Sequence, residues 1–210
     1  MPIDDVRVIS NIATGETGIM LAEAFNRLGA KVTLLLGPVQ VYPLNKNIKL
    51  IRFKFFDELK NKLLSVASRC DVIIHTAAVS DYKPKNIRRY KINSGFTGLK
   101  IELTPTVKII NLLKRLNPSL CLIGFKFETG VSKDVLLSKA RGLIKSARLD
   151  LAVANCVSRG KYTAYILDSG QIKGPWAAKK DMVLNLVKLL KKHPNINEYL
   201  VPLTIRHPNI

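Results

Sequence analysis

The chain has 210 residues, of which 47% are hydrophobic, so it can form one globular domain with a sizeable apolar core. It contains no run of 18 apolar residues and no recognisable secretory leader, which argues against a membrane span and against export. Its formal net charge of +19 favours a polyanionic partner, either a nucleic acid or a phosphorylated metabolite.

The distribution of cysteines and of basic residues indicates the cellular compartment and the kind of anionic partner. Cys70, Cys121 and Cys156 are odd in number and widely spaced, which is typical of reduced thiols, and we expect a cytoplasmic protein. The lysines and arginines are scattered along the chain and form no stripe interleaved with aromatic residues. A basic nucleic-acid-binding domain is therefore the less favoured of the two alternatives.

The first 36 residues predict a strand, a glycine turn, a helix and a second strand. The strands are expected at residues 6–10 and 31–36, and the helix at residues 18–28. In such a unit the N–H groups at the start of the helix face a crevice at the carboxyl end of the first strand. That crevice suits a phosphate or a carboxylate.

The glycine pattern of this turn disfavours a nicotinamide cofactor. Gly15 and Gly18 do not complete the G-x-G-x-x-G pattern, because Leu21 occupies the third glycine position. The second predicted strand also lacks the acidic residue that holds a ribose hydroxyl. An NAD(P)-dependent oxidoreductase is therefore kept only as an alternative function. The glycine turn could also have no ligand and serve only to join the strand to the helix.

The rest of the chain alternates predicted strands and helices, which indicates a Rossmann-like α/β fold with a doubly wound, mostly parallel sheet. The predicted strands are at residues 48–53, 71–78, 99–103, 119–127 and 150–155, with a hairpin at 162–173, and the predicted helices are at 56–67, 104–116, 132–148 and 178–192. A long basic segment, residues 79–100, interrupts this rhythm, and we call it the flap. We expect a single domain at residues 1–193 and a tail at 194–210.

Ligands of doubly wound sheets bind beyond the carboxyl ends of the strands, so the residues at those ends predict the site. They combine amides and small residues with the cations of the flap, are poor in nucleophiles paired with a base, and show no metal-ligand spacing. This set favours phosphate handling over covalent hydrolysis. Asp81 and Glu128 are either catalytic carboxylates or a turn cap and an ion-pair partner, and His75 is expected to pack in an apolar strand.

Six short blocks cover roughly residues 6 to 190 and follow the order found in a known family. They are V-R-V-I-S-N-I-A-T-G-E-T-G at 6–18, G-A-K-V-T-L at 29–34 with G-P at 37–38, A-A-V-S-D-Y-K-P at 77–84, K-I at 91–92, G-F-K-F-E-T at 124–129 and D-L-A-V-A-N at 150–155. In these blocks the chain resembles the phosphopantothenate–cysteine ligases (phosphopantothenoylcysteine synthetases) of coenzyme A biosynthesis. The resemblance implies that 4′-phosphopantothenate is activated by a nucleoside triphosphate, with release of pyrophosphate, and is then joined to L-cysteine.

The resemblance also implies roles for individual residues. Asn11 would hold the acyl nucleotide and orient its carbonyl group, and Lys91 would neutralise the triphosphate. Arg7 and Ala78 would lie with Asn11 at the phosphopantothenate. The implied nucleotide site consists of Gly15, Gly18, Thr76, Ala77, Asp81, Lys91, Val107, Lys108, Ile109, Ile110, Phe125 and a lysine of the helix at 132–148, either Lys139 or Lys145.

Two departures from the family pattern limit what can be carried over. The K-x-K-K motif of two-domain bacterial enzymes is K-I-N-S from Lys91 onward, so both CTP and ATP stay open as the nucleotide. The flavin-dependent decarboxylase domain of those enzymes has no counterpart in this sequence, so we expect a stand-alone ligase with a separate decarboxylase. The resemblance further implies Mg²⁺ with the nucleotide, no flavin or NAD, and a homodimer, and we assign no protein ligand to the metal.

Overall fold

The computed structural model describes residues 1–95 and 97–191. The helices in this part are α1 (Glu16–Asn26), α2 (Phe56–Ala67), α3 (Ile110–Leu116), α4 (Lys133–Ala147) and α5 (Lys179–Lys191). The strands are β1 (Thr33–Leu36), β2 (Lys49–Arg52), β3 (Val72–His75), β4 (Tyr82–Pro84), β5 (Leu103–Pro105), β6 (Cys121–Thr129), β7 (Leu151–Ser158), β8 (Lys161–Leu167) and β9 (Ile172–Trp176). None of these helices is long and apolar enough to cross a membrane.

The central sheet has five strands in the order β3-β6-β7-β8-β9. β3, β6 and β7 are parallel, whereas β8 and β9 add antiparallel strands at one side. A second parallel pair is formed by β1 and β2, and β4 pairs with β5 in an antiparallel arm. This mixed α/β architecture, with parallel strands at its centre, confirms the predicted fold class.

Helices cover both faces of the central sheet. Leu122 of β6 belongs to the apolar cluster formed with α2, α3 and α4, whereas Ile123 belongs to the cluster formed with α1 and α5. Because successive side chains of a strand point to opposite faces, β6 must be apolar on both sides, which explains its continuous run of hydrophobic residues. The polar residues are displaced to the ends of the strands.

Three predicted elements are corrected by the structure. The strand predicted at residues 6–10 forms no ladder beyond one bridge between Pro2 and Val8, and Val8 is 53% exposed. In place of the strand predicted at 99–103, the structure has β5 at Leu103–Pro105. The helix predicted from residue 104 begins only at Ile110. The reason is that Thr104 and Pro105 pair with Lys83 and Tyr82, which removes them from the helix.

The other predicted elements are present with shifted ends, and α2 has the predicted bounds. The flap is not wholly irregular, because β4 lies within it and pairs with β5 just beyond it. Phe96 and the tail at 194–210 lie outside the described residues, so the domain bounds stay a prediction.

A buried carboxylate anchors the segment before α1. Asp4 is 3% exposed and is the buried charged side chain in the described part of the chain. It accepts hydrogen bonds from the backbone N–H groups of Val6 at 3.0 Å, Arg7 at 2.8 Å and Ile92 at 3.0 Å. The Arg7 guanidinium also donates to Asp4, at 3.0 Å, and to the carbonyl oxygen of Ile92. These bonds fasten the first residues to the flap.

The hydrogen bonds lower the pKa of Asp4 from 3.8 to about 2, with the N–H of Ile92 as the largest cause. A lowered pKa in the folded state stabilises the fold above the unfolded-state value, and this stabilisation is lost as the pH falls through the folded-state value. We expect Asp4→Asn to lower the thermal unfolding midpoint at pH 7. The difference from wild type should shrink between about pH 4 and pH 2, as followed by circular dichroism.

The matched control for this prediction is Asp5→Asn, because Asp5 is the exposed neighbour of Asp4. It should leave the midpoint close to that of wild type at every pH. Equal destabilisation by the two variants would contradict the anchoring role of Asp4.

Candidate active site

A cavity of about 470 Å³ lies at the carboxyl ends of the parallel strands. Its lining includes residues 34–39 at the end of β1 and just beyond it, 53–56 after β2 and 76–80 after β3, with Phe125 and Phe127 of β6 and Asn155 and Val157 of β7. The loop at residues 9–18 closes another side. The position and volume are those of a ligand site in an open α/β sheet.

The glycine turn at Gly15 and Gly18 packs directly against this cavity. Gly15 caps α1 with φ +76°, a left-handed conformation that glycine adopts without strain. A Cβ atom on Gly18 would lie 3.1 Å from Oγ1 of Thr76, so glycine permits the close approach of the two segments. Gly15 has no side chain to cap α1, and Oγ1 of Thr14 accepts only the N–H of Glu16, at 3.4 Å, so the next N–H groups of the first turn are available to an anion.

Asn11 is fixed in place by the segment that follows β3. Its Nδ2 donates to the carbonyl oxygen of Ala78 at 2.8 Å. Asn11, Gly15, Gly18, Thr76, Ala77, Ala78 and Phe125 all line the same cavity. The structure therefore brings together residues that the sequence placed at separate strand ends.

Asp81, near the start of the flap, is bonded to the segment that follows β5. The Lys108 ammonium pairs with the Asp81 carboxylate, and the N–H of Thr106 donates to the carbonyl oxygen of Asp81 at 2.9 Å. Neither Asp81 nor Lys108 lines the cavity, although the adjacent Ser80 does. The carboxylate of Asp81 thus has an ion-pair partner.

Residues 107–110, which the family resemblance assigns to the nucleotide, include both exposed and buried side chains. Val107 is 53% exposed, whereas Ile109 and Ile110 are 2% and 9% exposed and belong to the apolar core. None of these residues lines the cavity. The side chains of Ile109 and Ile110 are committed to packing, which leaves only their backbone for a ligand.

The two lysines proposed from α4 also lie outside the cavity lining. Lys139 pairs with Glu128 at 2.8 Å, and Lys126 pairs with the same carboxylate at 3.0 Å. These lysines, Lys139 first, lower the pKa of Glu128. Lys126 and Glu128 alternate along β6 with the cavity-lining Phe125 and Phe127, so they face the opposite side of the sheet. Lys145 lies in the last turn of α4.

Arg7 contacts the flap at Ile92, the residue after Lys91, and neither Arg7 nor Lys91 lines the cavity. The backbone of Ile92, next to Lys91, is held by both Asp4 and Arg7. The phosphopantothenate role of Arg7 stays a prediction, as do the roles of the residues that line the cavity. The same holds for the nucleotide roles of Lys91, Asp81, Lys108, Lys139 and Lys145.

Several polar groups of the site were not assigned from sequence. The side-chain oxygen of Asn155 is buried and has no hydrogen-bond partner in the described part of the chain, so it can accept a hydrogen bond from a ligand. The sequence placed Asn155 at the end of the strand predicted at 150–155, whereas the structure places it within the longer β7, Leu151–Ser158. Glu16 and Lys179 also line the cavity, and no sequence signal linked them because they are far apart in the chain.

His75 is packed, as expected. Burial lowers its pKa to about 4, so it is neutral at physiological pH, and its Nε2 is buried without a partner among the described residues. Within residues 1–95 and 97–191, no cluster of three or more His, Cys, Asp or Glu side chains is arranged to hold a metal ion.

Comparison with known proteins assigns the family. Residues 1–191 match the model of the DNA/pantothenate metabolism flavoprotein C-terminal domain. The coenzyme A biosynthesis bifunctional protein CoaBC of Thermococcus kodakarensis is 40% identical over 155 residues, which are 73% of this chain and 38% of that protein. The CoaBC protein of Borreliella burgdorferi is 33% identical over 205 residues, covering 90% of this chain and 49% of that protein.

A solved structure agrees with this assignment. The DNA/pantothenate metabolism flavoprotein of Streptococcus pneumoniae matches with a TM-score of 0.81 and 28% identity, covering 91% of this chain and 94% of that one. The chain spans less than half the length of the two CoaBC relatives. Since the family model matches nearly all of the described residues, the chain belongs to the family of the DNA/pantothenate metabolism flavoprotein C-terminal domain.

Proposed function

We propose that the chain is a phosphopantothenate–cysteine ligase of coenzyme A biosynthesis. The observation that carries this proposal is the common cavity of Asn11, the glycine turn and the segment Thr76–Ala78. The names of the CoaBC relatives place those proteins in coenzyme A biosynthesis, which supports the same pathway for this chain.

The first step would activate the carboxylate of 4′-phosphopantothenate. A carboxylate oxygen attacks the α-phosphorus of CTP or ATP, a new P–O bond forms, and the bond to the β-phosphate breaks to release pyrophosphate. The charge that develops on the phosphates needs positioned N–H donors and cations. The start of α1 offers the donors, and Lys91 of the flap would supply a cation when the flap lies over the nucleotide.

The second step would transfer the acyl group to cysteine. The cysteine amine attacks the acyl carbonyl, a C–N bond forms, and the bond to the nucleotide breaks to release the nucleoside monophosphate. No enzyme nucleophile is needed. The cavity is lined mainly by apolar and small residues, and Asn11 and Asn155 supply its side-chain amides. Asn11, with its amide held against Ala78, would orient the carbonyl for this attack.

Magnesium would enter with the nucleotide, because Mg²⁺ binds chiefly through phosphate oxygens and water. The described residues contain no multidentate cluster for it, so we assign it no protein ligand. Its chemistry when bound would be to neutralise charge on the phosphates. We propose that the protein acts in the cytoplasm and as a homodimer, with a separate decarboxylase consuming the product.

Incubation with 4′-phosphopantothenate, Mg²⁺ and either CTP or ATP tests this proposal. Without cysteine, pyrophosphate should appear in an amount close to that of the enzyme, and cysteine should then allow many turnovers. Absence of pyrophosphate with both nucleotides would refute the ligase. If RNA or DNA instead bound with steep salt dependence, the basic nucleic-acid-binding alternative would be favoured.

For Asn11→Asp, we expect pyrophosphate release to continue and transfer to cysteine to fall by roughly a hundredfold or more. The new carboxylate would repel the acyl nucleotide and lose the amide that orients its carbonyl. Quenched-flow measurement of pyrophosphate and of the amide product separates the two steps. Asn47→Asp adds the same charge on an exposed loop outside the cavity lining and should behave as wild type. Normal transfer by Asn11→Asp would remove Asn11 from this role.

For Lys91→Gln, we expect the rate of pyrophosphate release to fall by roughly tenfold to a hundredfold, because a cation is lost from the transferring phosphates. Lys100→Gln is the matched control, since Lys100 is another exposed flap lysine. Single-turnover assays without cysteine measure both. Equal rates for the two variants would exclude a specific contribution from Lys91.

A further inference from the structure

An ion pair at the rim of the cavity joins the starts of two helices. Nζ of Lys179, the first residue of α5, donates to Oε2 of Glu16, the first residue of α1. Both residues line the cavity, although 163 positions separate them in the chain. The pair exists because α1 packs on α5, with Leu21 and Met182 in one apolar cluster.

Glu16 occupies an unfavourable position for the proposed ligand. It follows Gly15 directly and lies in the first turn of α1, where the helix dipole stabilises negative charge. The same dipole and the free N–H groups would attract a phosphate. An unneutralised carboxylate at this position would repel the phosphates of a nucleoside triphosphate.

Lys179 occupies a position that its own helix does not favour. A cation in the first turn of a helix is opposed by the positive end of the helix dipole. Its side chain is 38% exposed, and that of Glu16 is 52% exposed, so neither is buried by packing. The partner carboxylate therefore explains why the ammonium is held at the rim. The side-chain oxygen of Asn155 lies in the same cavity, is buried and has no partner among residues 1–95 and 97–191, so it offers a ligand there a hydrogen-bond acceptor.

We infer that Lys179 is a positioning residue that neutralises Glu16, so that the glycine turn can accept the phosphates of a nucleoside triphosphate. Lys179 acts through Glu16 and need not touch the nucleotide. This inference rests on the proposed function, because it specifies how the nucleotide enters that site.

The test is a double-mutant cycle of Lys179→Gln, Glu16→Gln and the combined variant, with dissociation constants of Mg·CTP and Mg·ATP measured by calorimetry. Lys179→Gln should weaken binding about tenfold, because the Glu16 carboxylate is then uncompensated. The combined variant should return to within about threefold of wild type, since the repelling charge is gone. Circular dichroism establishes that each variant is folded at the temperature used.

Lys180→Gln is the matched control, because Lys180 is exposed, adjacent and outside the cavity lining. It should bind nucleotide as wild type does. A combined variant as weak as Lys179→Gln would overturn the inference, because it would show that Lys179 contacts the phosphates directly. Equal weakening of nucleotide binding by Lys179→Gln and Lys180→Gln would also overturn it, because the loss of one positive charge anywhere on this surface would then explain the result.

These measurements distinguish the inference from the proposed function. If wild type binds nucleotide but releases no pyrophosphate with phosphopantothenate, the ligase proposal fails and the cycle still decides the role of Lys179. If wild type binds neither Mg·CTP nor Mg·ATP, both are overturned.

Discussion

Parallel pairing of β3, β6 and β7 is the constraint from which the site follows. Parallel strands end at the same edge of a sheet, so the segments after them converge without being close in sequence. β3 ends at His75, opposite Gly124, and β6 and β7 extend beyond it, so Phe125 and Asn155 of these longer strands line one cavity with the segment Thr76–Ala78. Because helices cover both faces of these strands, the strand interiors are apolar and polar groups concentrate at this edge.

The segment before α1 depends on a different interaction. It lacks a sheet ladder, and the buried carboxylate of Asp4 replaces one by accepting several N–H groups. The same carboxylate holds Ile92, so the part of the chain that carries Asn11 and the part that carries Lys91 share one anchor. At its other end the segment is tied to Ala78 by Asn11. The segment before α1 is thus hydrogen-bonded both to the flap, through Asp4 and Ile92, and to the cavity wall, through Asn11 and Ala78.

Among the described residues, the charged side chains that line the cavity are Glu16, Lys54 and Lys179, so the positive charge of this part of the chain is not concentrated there. Two of the lysines assigned to the nucleotide from sequence form ion pairs outside the cavity lining, Lys139 with Glu128 and Lys108 with Asp81. Cations at the rim and on the flap can still attract phosphates at a distance, because the field of a whole protein adds up. In the proposed mechanism, backbone N–H groups at the glycine turn would be the first to contact the phosphates, and the charge of a neighbouring side chain such as Glu16 would then act on them directly.

The sequence by itself determined the α/β class, the family resemblance and the residues at the strand ends, because apolar periodicity and glycine positions are local properties of the chain. It placed α2 correctly, yet it predicted a strand at residues 6–10, where side-chain bonds to Asp4 hold an exposed segment instead. Only the tertiary structure decided that Thr104 and Pro105 pair with the flap, that Lys139 faces away from the cavity and that Lys179 meets Glu16. Each of these depends on which distant segments pack together, and charge pairing across such distances leaves no periodic signal in a sequence.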